Sequence, residues 1–364
     1  MKVNRLEIHQ FRNIEHAEIL PSDGINILFG ENAQGKTNIL EALWLFTGGR
    51  SFRGAKDKDL TRFGQESAVL LEEVFSEDRE QEIKIVIDKK RKAFVNEIEQ
   101  PAMSRLIGKF PAVIFFPDHL FLVKEGPEGR RRFMDAALCQ IQPTYIQSLV
   151  RYQRILSQRN VVLKNWKVSP NEPLLDVLTA ELVKFGQQIV EKRIDYTNCL
   201  KEKAVLRYSG LSGEREQLEL QYEPHRQYEE NNFAQQIEIL TKLFEEKKPV
   251  DIEAGFTTSG PHREDLSILL DGKSARHYGS QGQQRSVVLA LKLAEAEILK
   301  EKTGECPLVL LDDVMSELDA SRQEYMVNQL DGWQVFISCC EPEAVLPKVN
   351  GKRFEVKSGT VTER

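Results

Sequence analysis

Gly30-Glu31-Asn32-Ala33-Gln34-Gly35-Lys36-Thr37 satisfies the spacing G-x-x-x-x-G-K-[ST] between a compact apolar run and an amphipathic stretch, the pattern that cradles a polyphosphate. Glycines let the backbone close around the phosphates, and the N–H groups opening the next helix offer them a positive dipole end. Lys36 is expected to reach the β and γ phosphates, and the Thr37 hydroxyl to ligate Mg²⁺. A second signal is Leu308-Val-Leu-Leu311-Asp312-Asp313. A buried strand must end before it can present a charge, so Asp312 at its tip is the expected Mg²⁺ holder, through water. Asp313 is the candidate general base that orients the attacking water. Between the two lies Gly279-Ser280-Gln281-Gly282-Gln283-Gln284-Arg285, directly before an amphipathic helix. Ser280 and the backbone at Gly282 make a second helix N-terminus able to cap a phosphate, although the stretch standing alone reads as an ordinary Ser N-cap.

The elements that hold these residues are legible from periodicity. Val3, Leu6 and Ile8 alternate like a strand, and Gly24 to Phe29 is a buried strand leading into the glycine loop. From Lys36, the apolar positions Ile39, Leu40, Leu43, Trp44 and Phe46 recur at helical spacing until Gly48-Gly49. Ala68 to Phe75 and Ile83 to Ile87 predict antiparallel strands with a basic tip at Lys89 to Lys92, and Val113 to Phe116 another buried strand. Beyond Pro127 the pattern is helical. Leu178, Leu182, Phe185, Ile189 and Tyr196, then Phe233, Ile237, Leu240 and Phe244, form two apolar seams either side of a break at Ser209 to Gly213. They predict an antiparallel hairpin of roughly 30 residues per arm, about 45 Å long. Strand and turn character returns from Ala254, followed by a helix from Gln283 to Lys300 and strands at Leu308 to Leu311 and Val335 to Ile337.

The expected architecture is α/β: a discontinuous nucleotide-binding domain (1–125 and 251–364) interrupted by a helical domain (126–250). The 364 residues, 41% hydrophobic, suffice for two cores. No apolar run is long enough to span a membrane, and five scattered cysteines read as reduced, cytoplasmic residues rather than a disulfide or zinc framework. With 50 Lys+Arg against 56 Asp+Glu, binding to a polyanion needs local basic surface.

Phosphate loop, Ser-x-Gly-Gln, then an apolar strand with two acids and Ser316-Glu-Leu-Asp319 is similar to the layout of the ATP-binding-cassette ATPases. That resemblance implies that Ser280, Gly282 and Gln283 of one subunit complete the ATP site of another. It also implies that Ser316 to Asp319 cross the dimer interface, although Gln281 stands where that family has a glycine. Phe11-Arg-Asn-Ile14, Gly30 to Asn38 with Glu41-Ala42, Gly49-Arg-Ser-Phe-Arg53, Gly129-Arg-Arg-Arg-Phe133-Met-Asp135, Ser259-Gly-Pro-His-Arg263 and Leu311 to Asp319 resemble the RecF family. These are bacterial recombination and replication-repair ATPases, small relatives of the SMC proteins. The resemblance covers nearly the whole chain and implies an SMC-head-like ATPase fold with ATP and Mg²⁺ as cofactors. It further implies DNA binding, ATP-dependent homodimerisation, slow hydrolysis, and work with RecR and RecO to direct RecA loading at gaps. Arg12 resembles an arginine that approaches the nucleotide in SMC-like heads, and His262 is equally a turn residue or a nucleotide-site residue.

Three departures from the cassette pattern point to slow turnover, below about 1 s⁻¹. Phe116-Pro117-Asp118-His119 stands where a glutamine is usual, so Asp118 or a neighbour would sense the γ phosphate. Asp313 replaces a glutamate, shorter by about 1.5 Å. Ser338-Cys339-Cys340 stands where a histidine is common. DNA contacts are expected from Arg50, Arg53, Lys56 and Lys58, from Lys89 to Lys92, and from Arg130, Arg131 and Arg132 with Arg151 and Arg154. They should act on phosphates with steep salt dependence rather than read bases. The competing readings are a transporter ATPase subunit, disfavoured by the long polar helical insertion, and an SMC-type tether or nuclease. The hairpin is too short for the tether and the C-terminal tail for the nuclease.

Overall fold

The computed structural model describes residues 1–225, 233–340 and 351–364; the side chain of Phe233, expected in the second seam, lies outside the described residues. In chain order the elements are β1 (Lys2–Phe11), β2 (Ile14–Ile19), β3 (Ile25–Phe29), α1 (Lys36–Leu45), β4 (Ala68–Ser76), β5 (Arg79–Ile87), β6 (Arg91–Val95), β7 (Ile98–Glu99) and β8 (Ala112–Phe115). Then come α2 (Phe121–Lys124), α3 (Pro127–Ile141), α4 (Pro143–Lys164), α5 (Glu172–Ser212), β9 (Leu218–Glu223), α6 (Phe233–Ala254), β10 (Asp265–Leu270), β11 (Lys273–Ser274) and α7 (Ala275–Tyr278). The chain finishes with α8 (Gln281–Thr303), β12 (Leu308–Asp312), α9 (Ala320–Gln329), β13 (Val335–Cys339), β14 (Lys352–Lys357) and β15 (Thr360–Glu363).

Contacts divide the chain into two compact units, Met1–His119 with Leu289–Arg364, and Leu120–Val288. The first contains two sheets. One has the order β2-β1-β4-β5-β6-β7 and is antiparallel throughout; the other, β15-β14-β3-β13-β12-β8, is parallel except for its β14–β15 edge. The parallel strands β8, β12 and β13 are buried at every position, as continuous apolar runs require when both faces are covered. The core joins the inner faces of both sheets to the buried side of α1, through residues such as Leu6, Ile8, Leu28, Leu40, Leu70, Leu310 and Phe336. Val3 and Leu6 are both buried despite their odd spacing because β1 shifts register between Val3 and Arg5; one extra residue resets the alternation.

The second unit is helical around α5, with α4 and α6 both packed on it. The two helices expected to carry the apolar seams, α5 and α6, do pack on each other, but the arms are unequal: α5 has 41 residues and is about 60 Å long, α6 has 22. The end of α5 comes where the glycines predicted it: Gly213 adopts a left-handed φ of 65° and caps the last turn. The insertion is also not strand-free. β9 pairs with β10 and β10 with β11 in a three-stranded antiparallel sheet. This pairing draws residues 251–288 into the helical unit, shifting the expected domain limits of 125 and 251 to 119 and 289 and placing Ser280 in the second unit.

Candidate nucleotide site

Parallel strands of the first unit set the site. β13 lies between β3 and β12, with Ser338 registered beside both Leu28 and Asp312. The C-terminal ends of three adjacent strands therefore converge where the glycine loop leaves β3, the crevice where open α/β sheets bind ligands. The loop is tightly backed. Gly30 has φ 148°, and any Cβ there would lie 2.3 Å from the Val356 carbonyl oxygen on β14. A Cβ at Gly35 would meet Asn13 Oδ1 at 2.8 Å. Backbone contact therefore bars a side chain at Gly30, while at Gly35 it is the φ of 121° that does so.

A cavity of about 820 Å³ opens over this loop, lined by Asn32, Ala33, Gly35, Lys36, Thr37, Asn38, Asp313 and Ser338 among others. Lys36 Nζ donates to the carbonyls of Gly30 and Glu31 at 2.6 and 2.8 Å, which holds the ammonium over the loop. Asp312 is the hub of the acidic side. Its Oδ1 accepts from Thr37 Oγ1 and from Ser338 Oγ, each at 2.8 Å, and Ser338 Oγ in turn accepts from the Asp313 amide at 2.9 Å. Burial raises the Asp312 carboxyl above its ordinary pKa, while the Thr37 and Ser338 hydroxyls pull it back. Asp313 faces the cavity with φ 52°, a costly conformation for a non-glycine residue and one that clusters at functional sites. Ser316 Oγ donates to its carbonyl oxygen at 2.8 Å and its Oδ1 at 3.1 Å.

The β1–β2 hairpin closes one side. Its two-residue tip is Arg12-Asn13, and Arg12 takes a positive φ of 54°, as tight hairpin turns demand at their first central position. Asn13 Nδ2 donates to the Gln34 carbonyl at 2.9 Å, Asn38 Nδ2 to Asn13 Oδ1 at 2.8 Å, and Arg53 to Asn38 Oδ1 at 3.0 Å. Arg12 lines the cavity too, but its guanidinium is committed: Nε and Nη2 donate to the buried Glu41 carboxylate at 2.8 and 2.9 Å, and Nη1 to the Asp59 carbonyl at 2.9 Å. The Ser51 hydroxyl completes the partners of Glu41.

Several expectations change. Asp118 is exposed and outside the cavity lining, while its neighbour His119 is buried, its ring held well below the usual pKa by burial and by the Lys292 charge. Arg130 is not a surface cation. It is buried, with two 2.7 Å bonds to Asp265 and further bonds to the Leu122 and Glu125 carbonyls. Arg131 is half-buried against the Glu264 carbonyl at 2.7 Å, and Arg132 is exposed and paired with Glu128. Of the first basic cluster, Arg50 and Lys56 are exposed, whereas Arg53 and Lys58 line the phosphate cavity. Arg91 is tied to Asp57 and the Gly49 carbonyl, leaving Lys89, Lys90 and Lys92 exposed. His262 takes the structural option: its ring lies between Tyr152 Oη at 2.8 Å and the Thr257 carbonyl at 3.2 Å, and burial lowers its pKa to about 4.

In the second unit, Ser280 N-caps α8 in a capping box. The Ser280 amide donates to Gln283 Oε1 at 2.6 Å, and the Gln283 amide to Ser280 Oγ at 3.3 Å. The Gln283 side-chain Nε2 donates to Glu216 Oε1 at 2.6 Å. Cavity residues to which sequence reasoning assigned no role include Asn13, Asp59, Arg62 and Phe63, and Ser338 was not paired with Asp312; Phe63 is 102% exposed between Arg62 and Gly64. A lone aromatic in the polar turn Thr61 to Glu66 was the available signal for Phe63.

Comparison with known proteins agrees with this geometry. The profile of the RecF/RecN/SMC N terminal domain matches residues 2–347. The DNA replication and repair protein RecF of Oceanobacillus iheyensis is 40% identical over 99% of this chain and 100% of its own length, and that of Clostridium acetobutylicum 41% over 93% of each. Solved structures of the recombination mediator protein RecF in the RecFOR pathway, as RecF-ATPrS and RecF-ATP, superpose with TM-scores of 0.92 and 0.90 at 34% and 35% identity. They cover 100% of this chain and 98% and 97% of theirs. The Smc head domain from Pyrococcus furiosus shares the fold at TM-score 0.59 and 14% identity, over 100% of this chain and 95% of its own. A phosphate loop on β3, an acidic tip on β12 and a match along the whole chain lead to one conclusion: the chain belongs to the RecF family of DNA replication and repair proteins.

Proposed function

We propose that this chain is an ATP-dependent DNA-binding ATPase of recombinational repair and replication, closed by its own twin when ATP is bound. The observation that carries the reading is the Thr37–Asp312–Ser338 triad beside Lys36, which supplies hard oxygen donors and a cation at the start of a helix. Thr37 Oγ1, which donates to Asp312 Oδ1 at 2.8 Å, would be the direct oxygen ligand of a small hard cation, and Asp312 would hold that ion through water. Magnesium bound there would neutralise the β and γ oxygens. Lys36 leaves its loop carbonyls for the phosphates, Asp313 orients the attacking water, and Ser338 holds Asp312 in place. Phe63 offers a ring face for the base. The ATP-bound RecF structures support the nucleotide assignment.

Ser280, Gly282 and Gln283 of a second copy cap the γ phosphate in this reading. ATP then stabilises the dimer by its higher affinity for the closed state, and hydrolysis releases it. The short side chain of Asp313 keeps turnover below about 1 s⁻¹. The dimer grips duplex or gapped DNA through backbone contacts from Arg50, Lys56, Lys89, Lys90, Lys92, Arg132, Arg151 and Arg154, in the cytoplasm. It works with RecR and RecO to direct RecA loading; the RecFOR context of the solved relatives supports those partners. Among the described residues no helix is long and apolar enough to cross a membrane. The test is sedimentation with and without ATP and a gapped duplex. The wild-type chain should dimerise with ATP and bind the duplex in a steeply salt-dependent way, and Lys36→Met should do neither. A chain that stays monomeric at saturating ATP and DNA overturns the reading.

A further inference from the structure

Away from the phosphate cavity, β1 and β2 bring three metal-ligating side chains together. His9 and His16 are direct cross-strand partners, with ring centroids 4.6 Å apart and Nδ1 atoms separated by 3.3 Å. Glu7 stands two residues before His9, hence on the same face of β1. Its Oε1 lies 2.7 Å from His9 Nε2, and its other oxygen is held by Arg5 at 3.0 Å. A carboxylate at Nε2 draws the ring proton to that nitrogen and turns the Nδ1 lone pair of His9 toward His16, the carboxylate–histidine arrangement seen behind metal-bound imidazoles. One ligand atom from each of the three residues falls within 4.8 Å of the others. A tetrahedral ion with metal–nitrogen bonds of about 2.0–2.1 Å separates its nitrogen ligands by about 3.3 Å, the spacing of the two Nδ1 atoms. β2 is the sheet's terminal strand and His16 is exposed, so solvent reaches the remaining coordination positions.

We propose that His9 and His16, backed by Glu7, form a surface site for a borderline-soft divalent transition cation of the zinc class, with water completing its coordination. Imidazole donors select such an ion over Mg²⁺, which keeps this site chemically separate from the oxygen donors of Thr37 and Asp312. The full chain, without nucleotide, is titrated with zinc by calorimetry and with cobalt by visible absorption, so the outcome does not depend on the ATP reading. About one equivalent of zinc should bind in the micromolar range, with a tetrahedral cobalt band. His9→Ala and His16→Ala should each abolish both signals, and Glu7→Gln should weaken binding about tenfold. Circular dichroism checks that the exposed His16→Ala variant stays folded. Absence of zinc uptake by the wild type, or uptake unchanged in either histidine variant, overturns the proposal.

Discussion

Ser338 and Asp312, registered opposite each other on β13 and β12, are joined by a 2.8 Å hydrogen bond from the serine hydroxyl to Oδ1. Because Asp312 also accepts from Thr37, the pair ties the acidic strand tip to the phosphate loop across one intervening strand. Removing the hydroxyl takes away one of the two hydrogen bonds that offset burial at Asp312. A bond to a charged group is worth about 1.5–3 kcal/mol, so Ser338→Ala should lower ATP turnover roughly tenfold or more. It should also move the acidic limb of the pH–rate profile upward, while ATP affinity without Mg²⁺ stays within a factor of a few. Steady-state kinetics across pH checks both; an unchanged profile would show that the serine only fills space.

Ser280 has two separable tasks, capping α8 within its own chain and meeting a partner's nucleotide. Ser280→Arg removes the cap, worth about 1 kcal/mol, as well as the phosphate contact. Ser280→Asp keeps a capping side chain but sets a negative charge against the γ phosphate. Both variants should bind ATP as monomers and fail to dimerise in sedimentation, and only the arginine variant should show a lowered melting temperature. Dimerisation of the aspartate variant with ATP would refute the trans contact.

Phe63 exposes its whole ring beside a phosphate cavity, and aromatic faces stack bases at about 1–3 kcal/mol each. Phe63→Ala should weaken ATP binding about tenfold and leave tripolyphosphate binding unchanged, while Phe63→Trp should bind ATP with fluorescence quenching. Equal losses for ATP and tripolyphosphate would place the effect on the loop rather than on the base.

Glu72 lies on β4 between Leu6 and Ile83, fully buried, with neither carboxylate oxygen hydrogen-bonded. Burial raises its pKa well above the ordinary value. The sign follows from linkage: stability is fully present below the unfolded pKa of about 4.3 and is lost as pH rises toward the folded value, because the buried acid must then ionise or stay protonated at a cost. Glu72→Gln should flatten that pH dependence and raise the melting temperature at neutral pH by a few degrees. Thermal melts between pH 4 and 8 decide it, and a parallel pH slope in the variant would sink the assignment.

Some of the architecture is encoded locally and could be read without coordinates. Glycines at 30 and 35 announce a loop that only glycine can build, the helix after Lys36 follows from apolar spacing, and the end of α5 was marked by Gly213. Such features depend on φ preferences and on periodicity within a few residues. Strands β2, β6, β9, β14 and β15 were not legible, since short edge and hairpin strands are decided by their neighbours as much as by their own residues.

By itself the sequence determined the phosphate loop, the acidic strand tip, the interrupted α/β plan and the family resemblance, all properties of contiguous residues. Only the tertiary structure decided that Ser338 meets Asp312, that Arg12 is spent on Glu41, that Arg130 is buried on Asp265 and that His9 faces His16. Each of these joins residues from different elements. Their meeting depends on strand register and on which cations packing removes from water, and neither quantity is set by any single stretch of chain.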